Sequence, residues 1–185
     1  MTGVTQQLGR IFQEFNMLQE PLGWPMETVE NDWLSPCFIG DAIEGAEHPW
    51  KPSLNTTQTH DMFDRLGQAL DEPIPSAIID YYQFAWSQCL NATHPQGNLS
   101  LIFVWNEQDL ERLRANLIGH ALNKQKLKQP LSYFFATTEP DGEKILSVES
   151  HSGRVLLERP GQKAFSVISD SLGEFLKEIS PLPFD

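Results

Sequence analysis

The densest potential for chemistry in this chain lies in six carboxylates within one short span: Glu27, Glu30, Asp32, Asp41, Glu44 and Glu47, with no basic residue before Lys51. Such a group can trade protons with a substrate, hold a metal ion or attract a basic partner. Loop acids that merely face solvent normally alternate with Lys or Arg, so six without a cation are the strongest local charge feature of the sequence. Asp61 and Asp64 carry the acidic character onto the polar side of the next periodic segment. A pair such as Glu27 and Glu30 could serve acid–base work, but the span offers it no cationic partner.

The remaining reactive residues point away from catalysis. The five histidines, His48, His60, His94, His120 and His151, are scattered, and none forms a His-x-x-x-His or Glu-x-x-His pair at ligand spacing. His120 flanks the apolar stripe of a helix, the place of a hydrogen-bonded structural histidine. Cys37 and Cys89 lie 52 positions apart with no second ligand beside either, so both are expected as buried, reduced thiols. Gly40, Gly45, Gly67 and Gly97 occur singly rather than in a phosphate-binding loop, and there is no serine nucleophile elbow. No catalytic residue, metal ligand or cofactor is assigned. A hydrolase using the clustered carboxylates is the least supported reading, and binding the best supported.

Composition narrows the partner. A chain of 185 residues, 40% hydrophobic with Phe 11 and Trp 5, has the material for one domain spanning residues 1–185, burying roughly 70% of its unfolded surface. The formal net charge is −12, beyond the magnitude of ~2–8 that suffices for solubility. Residues 1–100 hold 13 acids and 3 bases, whereas residues 101–185 hold 12 and 10. The first half therefore builds a negative field suited to a basic partner. Nucleic acid is excluded as a direct ligand, because phosphate binding needs clustered Lys and Arg. The longest clean apolar run, Leu101–Trp105, falls far short of the ~20 residues of a spanning helix. Residues 1–18 lack the apolar stretch of a secretion signal. The expected location is cytoplasmic.

Periodicity supplies the elements that must position these groups. Val4, Leu8, Ile11, Phe12, Phe15 and Leu18 mark an amphipathic helix ending before Pro21. Cys37–Ile39 is a short strand candidate. A second helix spans Gln58–Leu70 with Met62, Phe63, Leu66 and Leu70 inward, and a third, capped by Ser76, spans Ala77–Tyr82. Gln83–Trp86 reads as extended, Gly97-Asn98 as a turn, and Leu99–Trp105 as a strand buried on both faces. Asn106 caps the strongest helix, with Glu107, Asp109 and Glu111 at its positive end, Leu110, Leu113, Leu117, Ile118 and Ala121 inward, and Lys124, Lys126 and Lys128 at its exit. Strands follow at Leu131–Thr137, Lys144–Glu149 and Arg154–Glu158, with turns at Pro140-Asp141-Gly142 and Ser152-Gly153. An edge strand at Ala164–Ile168 and a helix capped by Ser171, with Leu172, Phe175, Leu176 and Ile179 inward, complete the chain. The expected architecture is α/β with α+β character: a central, curved, mixed but mostly antiparallel sheet flanked by helices.

As a string, Ser35-Pro36-Cys37, Trp50, Gln83-Phe84-Ala85, Trp105 through Leu110, Asn116-Leu117-Ile118-Gly119-His120, Lys124 through Lys128, Phe134-Phe135-Ala136-Thr137, Ser152-Gly153 and the closing Leu-rich helix form one ordered set. In order and spacing this set resembles the Syd family of bacterial proteins, with the first thirty or so residues fitting more loosely. More remotely it is similar to the SUKH-type α/β superfamily, which includes toxin-neutralising immunity proteins. The resemblance implies a non-catalytic cytosolic protein, loosely attached to the cytoplasmic side of the inner membrane through the SecY translocation channel. Such proteins bind basic cytoplasmic loops of SecY through an acidic concave surface and restrain uncomplexed or excess channel; membrane association is indirect. The partner-binding acids expected here, chosen by charge density, are Glu27, Glu30, Asp32, Asp41, Glu44, Glu47, Asp61 and Asp64. Trp24, Trp33 and Trp50 offer either apolar anchors among them or core. The rival is an acidic immunity-type module that caps a basic toxin.

Overall fold

The computed structural model describes residues 3–57, 60–163 and 165–184. The first apolar stripe becomes α1 (Gly3–Gln19), which buries Val4, Leu8, Ile11, Phe12 and Phe15. Its last turn departs from expectation: Leu18 is exposed and Gln19 is buried. The Gln19 amide donates to the Gly23 carbonyl at 2.7 Å and accepts from the Phe184 N–H at 2.7 Å. A polar residue thus closes both the helix exit and the far end of the chain, leaving no buried group of its own unpaired.

The strand expected at Cys37–Ile39 does not form. Phe38 makes only an isolated bridge to Trp50, while β1 (Met26–Thr28) pairs antiparallel with β2 (Glu47–Pro49). The Ile39 N–H donates to the Pro49 carbonyl and the Lys51 N–H to the Cys37 carbonyl, both at 3.0 Å, and the Phe38 ring meets Trp105 edge-on at 5.3 Å, so two backbone bonds and aromatic packing together place this segment. A second two-stranded ribbon joins β3 (Ser53–Leu54) to β4 (Ala85–Trp86). Between these strands lie α2 (His60–Leu70), with Met62, Phe63, Leu66 and Leu70 buried, and α3 (Ser76–Tyr82). The expected start of α2 at Gln58 lies outside the described residues. Ser76 is the first helical residue and not the cap, a position held by Pro75 without a side-chain bond. Gln83 and Phe84 complete the turn after α3 and are not extended.

The main sheet contains β5 (Leu90–His94), β6 (Gly97–Leu101), β7 (Ser132–Thr138), β8 (Ile145–Glu149), β9 (Val155–Glu158), β10 (Phe165–Ser169) and β11 (Ser180–Pro181), in the order β10-β9-β8-β7-β6-β5-β11. Its pairs are antiparallel throughout. Gly97-Asn98, expected as a turn, instead opens β6, and the turn falls at Pro95-Gln96. Gly97 has φ 149, which a side chain would strain, so glycine marks the start of the return strand. The strand expected to reach Trp105 leaves the sheet after Leu101. The edge strand expected from Ala164 begins at Phe165 in the described residues.

Two helices complete the layers: α4 (Glu107–Lys126) and α5 (Leu172–Lys177). On β7 the alternation of side chains separates two environments. Phe135 meets Tyr81 of α3 at 5.6 Å and Phe175 of α5 at 5.5 Å, an aromatic core extended by Phe103 stacked on Tyr81 at 5.0 Å. Phe134 and Ser132 face α4, where His120 lies 5.9 Å from the Phe134 ring and 3.0 Å from the Ser132 hydroxyl. This face is polar and buried: Ser132, Ser147, Glu149 and Glu158 are all shielded from solvent, as is Lys124 of α4. Lys124, expected at the helix exit where the dipole favours cations, does lie in the last turn of α4, and it is ion-paired there inside the protein with Glu158. No helix of the described residues is long and apolar enough to cross a membrane.

Candidate partner-binding surface

The acid-rich span folds as a ribbon with a long tip. Beyond the β1–β2 pairing, the Val29 N–H donates to the Ala46 carbonyl and the Gly45 N–H to the Val29 carbonyl, both at 2.9 Å. The tip is laid across the start of α4 and fastened there by short polar residues. The Ser35 hydroxyl donates to the Trp105 carbonyl at 2.5 Å and accepts from the Cys37 N–H at 3.1 Å. Asn106 uses both ends of its amide: its nitrogen donates to the Leu34 carbonyl at 3.0 Å, and its oxygen caps α4 by accepting from the Asp109 N–H at 2.8 Å. Asp109 in return accepts from the Trp105 N–H at 2.9 Å. Phe38 and Trp50 each meet the Trp105 ring edge-on at 5.3 Å. Trp105 and Asn106 therefore position the acid-bearing tip and the acids of the helix at once.

Between the tip and α4 opens a cleft of about 310 Å³, with Glu27, Glu30 and Asp109 among its walls together with Trp33 and Trp105. On the other flank of the tip, a depression of about 360 Å³ gathers Asp32 and Glu107 around Leu34 and Trp86. Glu27 is oriented by the Gln88 amide, which donates to it at 2.6 Å. The side chains of Glu30, Asp32 and Glu107 have no hydrogen-bond or ion-pair partner among the described residues.

The other expected acids are dispersed. Glu44 accepts from the Asn31 N–H at 2.5 Å, a clasp across the tip, and Asp41 is exposed within it. Glu47 lies directly opposite Thr28, whereas Glu27 lies opposite His48, so Glu47 and Glu27 point to opposite faces of the ribbon. Asp61 is paired with Arg65 at 2.9 Å, and Arg65 also grips Glu111 of α4. The Glu111 carboxyl is held below its ordinary value chiefly by its hydrogen bond from Arg65 and further by Arg114. Asp64 lines a separate depression of about 580 Å³ with Asp71 and Glu72.

The sequence accounts for Glu107 and Asp109 by helix electrostatics and leaves open that they also join a binding surface; Asp109 lies in the wall of the cleft and Glu107 in that of the depression. Only the docking of Ser35 and Leu34 onto Trp105 and Asn106 brings them beside Glu27, Glu30 and Asp32. Of the three tryptophans, Trp50 is core, while Trp24 and Trp33 are half-buried. Each half-buried ring carries a cation of the chain itself: the Lys51 ammonium lies 5.8 Å from Trp24 and the Arg112 guanidinium 5.2 Å from Trp33. Both cysteines are free, but Cys89 is exposed rather than buried. Burial pushes the Cys37 thiol up to about 11. Among the described residues no group of three or more His, Cys, Asp or Glu could hold a metal ion.

A family model described as "Syd protein (SUKH-2)" matches residues 5–181. The chain belongs to the Syd family. It is 39% identical over 158 residues to the Protein Syd of Pseudoalteromonas atlantica, covering 84% of this chain and 83% of that protein. It is 40% identical over 147 residues to that of Hahella chejuensis, covering 80% and 74%. Against the Protein Syd of Pseudoalteromonas translucida, 32% identity extends over 178 residues, 95% of this chain and 98% of that protein. The match to the Syd family model begins at residue 5, so it runs through the acid-rich ribbon as well as the motifs that follow it.

Proposed function

We propose that this protein is a non-catalytic binder of the basic cytoplasmic loops of the SecY channel, held on the cytoplasmic side of the inner membrane by that contact alone. It acts there as a negative regulator or quality-control factor for uncomplexed or excess SecY. The observation that carries this reading is the gathering of Glu27, Glu30, Asp32, Glu107 and Asp109 around the Trp105–Asn106 anchor. Asp41, Glu44 and Glu47 lie elsewhere on the ribbon and Asp61 and Asp64 on α2, and they add to the negative field without lining either depression. Cytoplasmic loops of membrane proteins are enriched in Lys and Arg, and an acidic concavity offers them a complementary potential. Attraction of this kind raises the association rate and selects the partner, and it weakens with salt.

The test is retention of the purified protein on vesicles with exposed cytoplasmic faces, with and without overproduced SecY, at low and moderate salt. SecY-dependent, salt-sensitive retention is expected. Equal retention on both vesicle types, or none at low salt, would overturn the reading and direct attention to soluble basic partners such as toxins.

A further inference from the structure

The cleft between the ribbon and α4 holds a buried polar group that the fold leaves without a partner among the described residues. Ser87 is fully buried, its N–H donates to the Val104 carbonyl at 2.9 Å, and its hydroxyl has no hydrogen-bond partner among the described residues. Ser87 lines the same cleft as Glu27, Glu30, Trp33, Asp109 and Arg112. A buried hydroxyl without a partner costs stability, so its place at the wall of an acid-rimmed cleft is informative. The group that would complete it is a hydrogen-bond donor arriving from outside, and the rim favours one with positive charge.

The wall facing it shows which cation fits. Trp33 presents an indole face already covered by the Arg112 guanidinium at 5.2 Å, and Arg112 reaches Asp109 only at 3.8 Å. The Arg112 side chain is 70% exposed, so it is held loosely and can leave. A guanidinium stacks on an indole and spreads several N–H donors over carboxylates in one plane, which a compact ammonium does not. Glu30 offers a carboxylate with no partner among the described residues, Glu27 one already oriented by Gln88.

We propose that this cleft is a receptor for a single arginine side chain of the partner, and that Arg112 occupies its indole face in the free protein as an internal competitor. The inference rests on the reading of this surface as a receptor for basic loops, and it names one residue type that such a loop supplies. On binding, the incoming guanidinium takes the Trp33 face, pairs with Glu30 and Glu27 and donates to the Ser87 hydroxyl, while Arg112 turns out to solvent.

The probe is a capped tripeptide, Gly-Arg-Gly, titrated against the full chain while the Trp33 indole N–H resonance is followed; Gly-Lys-Gly and the neutral citrulline analogue serve as comparisons. A saturable shift that is strongest for arginine and lost with citrulline is expected. Arg112→Ala should tighten arginine binding roughly two- to fivefold, the range that a cation over an exposed ring represents. Lys126→Ala, which changes the net charge equally at the far end of α4, should not. Ser87→Ala should weaken binding without lowering thermal stability, since it removes a hydroxyl that lacks a partner. No saturable shift, equal shifts for all three peptides, or an Arg112→Ala variant no tighter than Lys126→Ala would overturn the proposal. Vesicle retention of the same variants separates the two readings. SecY-dependent retention without arginine binding removes only the cleft, and arginine binding without SecY dependence removes only the channel as partner.

Discussion

The ammonium of Lys124 on α4 is seated on the carboxylate of Glu158 in β9, and both side chains are buried, at 6% and 5% exposure. The second oxygen of Glu158 accepts from the Ser132 hydroxyl at 2.7 Å and from the Ser147 hydroxyl. His120 closes the network against Ser132 at 3.0 Å. A long helix is thus attached to the sheet through a polar layer in which every charge is compensated.

Removing one member of the pair leaves the other charged and buried. Lys124→Ala should cost about 3–5 kcal/mol in urea denaturation. Lys124→Met combined with Glu158→Gln should cost clearly less than the sum of the two single changes, because the residues act as a unit. Additive losses would show that the pair is not coupled.

Acid should weaken the fold in two stages. Burial holds His94 and His120 below the ordinary 6.5, outweighing the opposing pull of Glu178 and Glu158. The unfolded chain therefore binds these protons before the folded one, and stability declines as pH falls below about 6.5. Burial works against the charge of Glu158, but Lys124, Ser147 and Ser132 overcome it and hold the carboxyl below 4.5. Glu149 is likewise held low by its hydrogen bond from Ser152, with Arg154 adding to it. The stability these two carboxylates contribute is present above about pH 4.5 and lost as pH falls through their depressed folded values. Urea midpoints measured from pH 8 to 3 should decline in that order, and a midpoint unchanged between pH 7 and 5 would contradict the histidine stage.

The two thiols should differ sharply. Burial pushes both thiols above the ordinary value, Cys37 to about 11, but Cys89 is exposed and Cys37 is buried, so access to the reagent is what separates them. An aromatic disulfide reagent at neutral pH should modify one cysteine per chain rapidly and the second only at the rate of opening. Cys89→Ser should abolish the fast phase. Two fast thiols would show that the Ser35–Cys37 segment is not docked on Trp105.

Charge reversal should separate the gathered acids from the neutralised one. Asp32→Lys with Glu107→Lys should lower SecY-dependent vesicle retention by about tenfold or more, the lower end of coupling for close interfacial charge pairs, with a stability loss of about 1 kcal/mol because a cation at position 107 opposes the α4 dipole. Asp61→Asn should change retention little, because Arg65 already occupies that carboxylate. Equal loss from both variants would mean that net charge, and not this surface, governs binding.

Most helices were legible because each carries a complete local pattern. The α4 stripe of Leu110, Leu113, Leu117 and Ala121 is buried as its spacing requires, and Asn106 and Ser171 cap as their types predict. The meander β7–β10 was legible from its turn residues. By contrast, β11 and the β1–β2 ribbon carry no comparable local signal, since two- and three-residue strands exist only through the partners they meet. Charge density in the ribbon was visible in the sequence, but the direction of each carboxylate was not. Glu27 and Glu47 part because strand alternation separates them, and Glu107 joins because Ser35 and Asn106 fasten distant segments together.

By itself, then, the sequence determined the periodic elements, the acidic character of the first half and the family resemblance, all properties of residues close in the chain or of their order along it. Tertiary structure alone decided that Lys124 turns inward to Glu158, that Trp50 is core while Trp33 lines a cleft, and which acids share a face. Each of those outcomes depends on the low-dielectric or aromatic surroundings supplied by residues far away in sequence, and no local pattern encodes them.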